Sequence, residues 1–236
     1  MSIAYVKKED IGLQFENGFA QAEMLPGCYP NVKTYRCALQ AGCSVKPKTY
    51  SRSHQMLCLT DGKGYITTPK RAYNVDEVSF FFANFEEEFT ITAVTDMSWT
   101  TFVVDISEKE WPEFYRSHLV LPYFRPLSTA NEYWQDCKTA GMRGWHIVVG
   151  HQMYPIIMGV CQTDLGGTIE KGHPGVAQWN VLYGDSEIVL TIADESVHLK
   201  GGDFSYVPAG PDHSLTTKPG KQMSYIWVEH YTHTDD

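Results

Sequence analysis

The run over residues 202–213 is the sequence feature that most constrains the fold. It reads G-x5-P-x-G-x2-H: a turn glycine, a short apolar strand, a proline–glycine corner and a histidine that opens the next strand. Gly202 supplies the positive φ that a tight turn needs, and Phe204 and Tyr206 alternate with smaller residues as in a β-strand. The pattern predicts a short strand and a sharp corner at Pro208 and Gly210, which turns the chain so that His213 points inward.

A second histidine motif precedes this run, and it reads K-x-H-x4-Q from Lys171 to Gln178. Together the two motifs resemble the paired signature of the cupin superfamily, in which H-x-H-x4-E or Q precedes the glycine–proline motif. The resemblance implies an antiparallel jelly-roll barrel (a double-stranded β-helix) with one metal ion, held by His173, Gln178 and His213. Lys171 stands where the family has its first histidine. Another register makes His173 the first histidine and Gly175 the missing second, but the spacing from His173 to Gln178 favours the first register.

The chain carries an internal repeat of about half its length. Sliding its second half over its first puts Tyr50, Gln55 and Glu87 on the three candidate ligands. A repeat of this period indicates two similar domains. We therefore predict an all-β bicupin, with two antiparallel cupin barrels joined by a short helical linker. A degenerate N-terminal barrel with the linker helix spans residues 1–120, and a C-terminal barrel with the candidate active site spans residues 121–236.

Short β-rich runs, bounded by Gly, Pro, Asn or Asp, dominate the chain on both sides of a different middle segment. They predict strands between residues 34 and 106 and again between 146 and 230. The S-E-K-E run at 107–110 has the pattern of a helix capping box and predicts the linker helix. A second short helix is predicted at 132–138.

Composition excludes several classes of function. The formal charge of −9 and the lack of a basic cluster argue against nucleic-acid binding. No stretch approaches the roughly 18 apolar residues that a membrane span needs. The six cysteines form no C-x-x-C pair, and no apolar leader follows Met1, so we expect reduced thiols in a cytoplasmic protein. Barrel edges and a long N-terminal segment lead us to expect a homodimer.

The candidate ligands suit a divalent ion such as Mn, Fe, Ni or Zn, because imidazoles and an amide oxygen are ordinary donors to these metals. Three protein ligands leave open positions for substrate. Lys171 repels a cation, so it either turns outward or takes the metal's place and neutralises an acidic substrate. Glu170 becomes a ligand if the strand shifts by one residue.

Two functional hypotheses follow. The first is a metal-dependent isomerase, hydrolase or lyase of a small polar metabolite. Lys171 or Tyr183 would transfer a proton, and Trp179 and Tyr206 would line the substrate pocket. The motif at His173 is similar to cupins that rearrange uronate sugars, and the layout is similar to ureidoglycine aminohydrolase. These similarities imply a sugar-acid or ureide-like substrate, although the ureide enzymes' extra ligands are missing. The second hypothesis is a non-catalytic bicupin that binds or senses a small molecule without metal.

The N-terminal barrel is predicted to hold no metal, because Tyr50 and Glu87 take the histidine positions. A phenol with a pKa near 10 is a poor ligand at neutral pH. Packing, dimerisation or an accessory ligand pocket remain as its roles. In the last case, Tyr50, Arg52 and Glu87 would line a polar pocket.

Overall fold

The computed structural model describes residues 3–117 and 119–232, and their secondary structure is almost entirely β, as predicted. The first strands are β1 (Ala4–Val6), β2 (Phe15–Glu16), β3 (Phe19–Met24), β4 (Val32–Leu39), β5 (Ser44–Val45), β6 (Ser53–Asp61), β7 (Gly64–Thr67), β8 (Ala72–Val75), β9 (Ser79–Phe82), β10 (Thr90–Ala93) and β11 (Met97–Asp105). Helix α1 (Trp111–Arg116) and strands β12 (Tyr123–Pro126), β13 (Asn131–Tyr133), β14 (Arg143–Val148), β15 (Ile156–Thr163) and β16 (Gly166–Glu170) follow. The last strands are β17 (Val176–Leu182), β18 (Glu187–Ile192), β19 (Glu195–Lys200), β20 (Phe204–Val207), β21 (His213–Thr217) and β22 (Met223–Tyr231). Short 3-10 turns lie at Lys8–Asp10 and Leu127–Thr129.

The chain divides into two compact units. The first, called the N-terminal barrel, is Ile11–Thr129. The second, called the C-terminal barrel, starts at Ala130 and also includes the N-terminal residues up to Asp10. The N-terminal barrel therefore runs past residue 120 and takes in β12, while β1 joins the C-terminal barrel by pairing with β20.

Both barrels have the same strand order. The N-terminal barrel contains a seven-stranded sheet, β12-β9-β6-β11-β4-β3-β2, and a four-stranded sheet, β5-β10-β7-β8. The C-terminal barrel repeats both, as β1-β20-β17-β22-β15-β14-β13 and β16-β21-β18-β19. Among the described residues, all the pairings between the named strands are antiparallel. This strand-for-strand match confirms the internal repeat.

Each barrel packs its own apolar core, because side chains along a strand alternate between its two faces. Trp99, Phe81 and Ile91 belong to the core of the N-terminal barrel. Leu190 and Leu215, paired across β18 and β21, belong to that of the C-terminal barrel. Full burial of one such side chain contributes roughly 1.5–3 kcal/mol, so the cores hold the two sheets of each barrel together.

The connecting segment departs from the prediction at one point. The Glu110 carboxylate accepts a hydrogen bond from the Ser107 backbone at 2.7 Å, as in a capping box, but the helix begins only at Trp111. The helix predicted at 132–138 is wrong, because Asn131–Tyr133 instead forms strand β13 on the edge of the large sheet, paired with β14. Pairing at a sheet edge outweighs weak local helix propensity. Among the described residues, no helix is both long and apolar enough to span a membrane.

Candidate metal centre

The two histidine motifs contact each other directly. The Gly172 backbone N–H donates a hydrogen bond to Asp212 Oδ1 at 2.7 Å, and the Gly210 N–H donates to the His173 carbonyl at 3.1 Å. A Cβ atom on Gly172 would lie 1.7 Å from the Gly210 carbonyl oxygen, so this approach requires glycine. The contact holds His173, in the loop before β17, beside His213, the first residue of β21.

A carboxylate completes the group. Glu170 ends β16 and pairs in register with His213 on β21. Its Oε2 lies 3.6 Å from His173 Nε2 and 3.9 Å from His213 Nε2, while the imidazole rings meet edge to face with centroids 5.2 Å apart. The candidate ligand atoms of these three residues all lie within 4.8 Å of one another. Two imidazoles and one carboxylate can therefore reach a single ion.

The protonation of His213 favours metal binding. Its Nδ1 lies 3.3 Å from the Pro211 carbonyl oxygen. Because a carbonyl can only accept, Nδ1 must carry the proton, which leaves a lone pair on Nε2 facing Glu170. Metal-binding histidines are commonly oriented by such a bond to a backbone carbonyl. Burial also lowers the pKa of His213, so its imidazole is neutral at physiological pH.

The nitrogen atoms of the group lack other partners. Both ring nitrogens of His173, and Nε2 of His213, are buried with no hydrogen-bond partner among the described residues. The Glu170 carboxylate raises the pKa of His173, because a nearby negative charge stabilises the imidazolium. A bound cation would replace that proton and bond one nitrogen of each ring. The residues present therefore fit a divalent metal ion.

A cavity of about 310 Å³ lies beside the group, and both Glu170 and Gln178 line it. The Gln178 Nε2 donates a hydrogen bond to Asn180 Oδ1 at 2.8 Å, which fixes the amide and leaves its oxygen as the atom available to a metal or substrate. Aromatic side chains, including Tyr133 and Trp227, line the cavity as well.

Two ionisable residues that sequence reasoning missed also line this cavity. Glu229 lies opposite Gln178 in the pairing of β17 with β22. Its pKa is raised to about 7: burial raises it most, the nearby His173 lowers it, and Glu170 raises it. Lys138 is 5% exposed, and its Nζ donates to the Tyr133 carbonyl at 3.1 Å while lying 3.4 Å from the Tyr133 ring centroid. Burial lowers the pKa of Lys138.

Comparisons with known proteins support the architecture. No family model matches the sequence, and the comparison with curated proteins found no match. Among solved structures, the chain is similar to a putative glyoxylate-induced protein from Pseudomonas aeruginosa, with a TM-score of 0.78 and 12% identity over 98% of this chain and 89% of that one. It is also similar to oxalate decarboxylase from Bacillus subtilis, with a TM-score of 0.73 and 12% identity over 98% and 79% of the two chains. It is similar as well to oxalate decarboxylase from Lactobacillus farciminis, with a TM-score of 0.74 and 10% identity over 98% of this chain and 86% of that one. The chain has the bicupin fold. The Bacillus enzyme has Mn(II) centres.

Lys171 does not belong to the ligand group, although it lines a pocket together with Glu170 and His213. Lys171 is exposed, whereas its neighbour Glu170 reaches the two histidines. Neighbouring residues of an extended segment point to opposite sides, so only one of this pair can face inward. Glu170 thus takes the place that the family motif gives to its first histidine.

Three other expected site residues lie away from the cavity. Trp179 and Tyr206 pair across β17 and β20 with ring centroids 5.3 Å apart. Because alternation separates them from Gln178, they pack on the other face of the sheet. The hydroxyl of Tyr183, just after β17, accepts a hydrogen bond from the Gln162 amide at 2.8 Å. The structure therefore brings His173 and His213 together with Glu170 and places Gln178 in the cavity that Glu170 also lines, whereas Trp179, Tyr183 and Tyr206 do not line that cavity.

Strand registers identify the counterpart of His213 in the N-terminal barrel. Leu215 pairs with Leu190, and in the other barrel Ile91 pairs with Ile66 at the equivalent place. His213 lies two residues before Leu215, and Phe89 lies two residues before Ile91. Aligning these two pairs, all four residues of which are fully buried core residues, puts Phe89 at the position of His213, whereas the sequence repeat puts Glu87 there. The two alignments differ by two residues, and a two-residue shift leaves the inward and outward faces of a strand unchanged.

The same register identifies the other counterparts. Val45 pairs with Ile91 as Thr168 pairs with Leu215. Counting two and five residues onward from Val45 gives Pro47 at the position of Glu170 and Tyr50 at that of His173. The N-terminal barrel thus has neither imidazole nor carboxylate at these three positions.

Proposed function

We propose that the C-terminal barrel is a divalent-metal-dependent active site for a small carboxylic acid. The observation that carries this proposal is the group of Glu170, His173 and His213. Both ring nitrogens of His173 and Nε2 of His213 are buried with no hydrogen-bond partner among the described residues, and Glu170 lines a cavity. These three residues would hold the ion, and Gln178 would add a weaker oxygen donor. Carboxylate and imidazole donors suit Mn or Fe, and the Mn(II) centres of a protein with the same fold support manganese. When bound, the ion would polarise an oxygen of the substrate.

Lys138 would select an anionic substrate. A buried ammonium group is costly unless an opposite charge or polar partners compensate it. Within the described ranges, the Lys138 ammonium donates one hydrogen bond, to the Tyr133 carbonyl, which leaves further N–H groups to donate. A substrate carboxylate in the cavity would accept hydrogen bonds from these N–H groups. The names of the similar oxalate decarboxylases, which imply a small carboxylic acid, support this class of substrate. Both classes that the sequence implies, sugar acids and ureide-like acids, can carry the required carboxylate.

Glu229 would move the proton. A group with a pKa of about 7 is present in both protonation states at neutral pH, so it can either donate or accept. It lines the same cavity as Glu170 and Gln178, whereas Lys171 is exposed and Tyr183 is hydrogen-bonded elsewhere. Isomerisation, hydrolysis and elimination each need such a proton transfer next to a polarised oxygen.

The proposal is tested by elemental analysis and a substrate panel. Purified protein would be analysed for Mn, Fe, Ni and Zn, then incubated with glucuronate, oxalate, glyoxylate and ureidoglycolate while products are followed by NMR. We expect turnover of a carboxylic acid that is lost on chelation and restored by Mn(II). The Glu229→Gln variant should keep its metal and lose at least about 100-fold in kcat. Protein that binds one of these acids equally well after chelation, and turns none over, would instead be a metal-free binding or sensing bicupin.

A further inference from the structure

The N-terminal barrel encloses a cavity of its own, of about 260 Å³. Gln55 lines it, is 5% exposed, and has a buried Oε1 with no hydrogen-bond partner among the described residues. An unpaired buried acceptor costs roughly 1–3 kcal/mol. A ligand hydroxyl or amine that donates to this oxygen would remove the cost.

Two tyrosines add hydrogen-bonding capacity to the same cavity. Tyr35 and Tyr50 both line it, and burial raises the pKa of each phenol. They are therefore neutral at physiological pH and can donate as well as accept hydrogen bonds. Thr101 contributes a third hydroxyl, which accepts from the Trp99 indole N–H at 3.0 Å. The wall is thus rich in groups that pair with a hydroxylated molecule.

The charges of the lining favour an anion. Lys33 and Lys48 are exposed residues that line the cavity, and Lys48 Nζ lies 5.1 Å from the Tyr50 ring centroid. Against these two ammonium groups stands one lining carboxylate, Asp105, which accepts a hydrogen bond from Ser53 Oγ at 2.5 Å. Lysine ammonium groups at the edge of a cavity attract a carboxylate and pair with it.

We propose that this cavity is a second, metal-free binding site for a small hydroxylated carboxylic acid. Lys33 and Lys48 would bind the carboxylate, and Gln55 would accept a hydrogen bond from a ligand hydroxyl deeper in the cavity. The flat ring of Trp99 gives the ligand carbons an apolar wall. The site lies wholly within the N-terminal barrel and does not depend on the proposed metal centre.

The experiment uses the full-length chain with the metal centre disabled. A His173→Ala/His213→Ala double variant, treated with chelator, would be titrated with D-glucuronate while the indole N–H resonances are followed by ¹H–¹⁵N NMR. The Trp99 resonance is assigned by its loss in a Trp99→Phe variant. We expect glucuronate to shift the Trp99 resonance, and D-glucose, which lacks the carboxylate, to bind at least about tenfold more weakly.

Matched lysine variants locate the carboxylate. Lys33→Ala/Lys48→Ala in the same background should weaken glucuronate binding at least about tenfold. Lys63→Ala/Lys70→Ala, which removes two exposed lysines outside the cavity lining, should leave it unchanged. Tyr50→Phe, which removes only a hydroxyl, should weaken it less than the Lys33/Lys48 pair. The proposal is overturned if millimolar glucuronate leaves the Trp99 resonance unmoved. It is also overturned if the Lys33→Ala/Lys48→Ala and Lys63→Ala/Lys70→Ala variants bind glucuronate with equal affinity. Neither result bears on the proposed metal-dependent activity.

Discussion

The two barrels share a strand order but differ at the positions around their cavities. The C-terminal barrel presents Glu170, His173 and His213, where the N-terminal barrel presents Pro47, Tyr50 and Phe89. The antiparallel ladders are the same in both, because backbone hydrogen bonds and alternating apolar residues define them. The comparison teaches that this scaffold sets geometry alone, and that a few inward side chains decide the chemistry.

The difference also has an energetic side. Phe89 is 3% exposed and packs on Phe81 with ring centroids 5.1 Å apart, so the N-terminal barrel gains apolar burial at this position. The C-terminal barrel instead buries ionisable groups, which burial disfavours in their charged forms. Burial is the largest cause of the rise in the pKa of Glu229 to about 7 and of the lowered pKa of His213. We therefore expect metal to stabilise the C-terminal barrel and to leave the N-terminal barrel unchanged.

Removing His213 should have the largest effect. His213→Ala deletes one imidazole of the centre, and the remaining His173 and Glu170 would hold an ion only loosely. We expect metal content, measured by elemental analysis, to fall from about one ion per chain to near zero, with activity lost in parallel.

The control for this variant is His198→Ala, which removes an exposed histidine from β19 of the same barrel. It should keep its metal. Circular dichroism of His213→Ala should show the native β spectrum. A folded His213→Ala protein that retained its ion would place the metal elsewhere.

The reverse change should create a second centre. Pro47→Glu, Tyr50→His and Phe89→His together give the N-terminal barrel the three donor types of the C-terminal one. We expect metal content to rise from about one towards about two ions per chain. Placing the last histidine by Glu87→His instead of Phe89→His should give no increase, because Glu87 lies three residues before β10. Equal metal uptake by both triple variants would contradict the register equivalence.

The metal-stripped protein should lose stability as pH rises through neutrality. The pKa of Glu229 is raised from 4.5 to about 7 in the folded chain. Its protonated form is therefore the one that favours folding: its contribution is complete below pH 4.5 and lost as pH rises through about 7. The raised pKa of His173 acts in the same direction, and the lowered pKa of His213 acts in the opposite one. Between pH 5 and 8 we expect a loss of up to about 3 kcal/mol from Glu229.

The measurement for this effect is urea unfolding of chelated protein at both pH values. Glu229→Gln, whose amide does not titrate, should reduce the pH dependence. Val103, the residue opposite Gln55 in the N-terminal barrel, corresponds to Glu229 and carries no charge. Unfolding of that barrel should accordingly change less with pH. Wild type and Glu229→Gln with identical pH dependence would show that Glu229 titrates normally.

The fold was predictable because its signals are local and repeated. Turn glycines, short alternating strands and the motif ending in His213 each report a piece of a barrel, and the repeat supplies the second barrel. The placement of His173, Gln178 and His213 follows from motif spacing. The expected homodimer and cytoplasmic location stay predictions, because one chain carries no record of either.

The rest of the site depends on pairings that sequence spacing does not reveal. Lys138 reaches the cavity from a segment that looked helical but supplies an edge strand instead. Glu229 lies near the end of the chain, and only its register against Gln178 brings it to the cavity. The motif aligned Lys171 with the family's first histidine, but Glu170 is the residue that faces the two histidines. Motif matching shows which of two neighbouring residues faces inward only when the expected residue type is present.

The smallest effect is expected from Glu87→Gln. Glu87 lies in the N-terminal barrel before β10, where its Oε2 accepts a hydrogen bond from Asn84 Nδ2 at 3.3 Å. A glutamine keeps the size of the side chain and removes its charge, so we expect a change in unfolding free energy within about 0.5 kcal/mol. Metal content and turnover should match the wild type, since Phe89 rather than Glu87 stands at the ligand position. A large loss of either would show that the N-terminal barrel takes part in the chemistry, and the contrast between the two barrels would then fail.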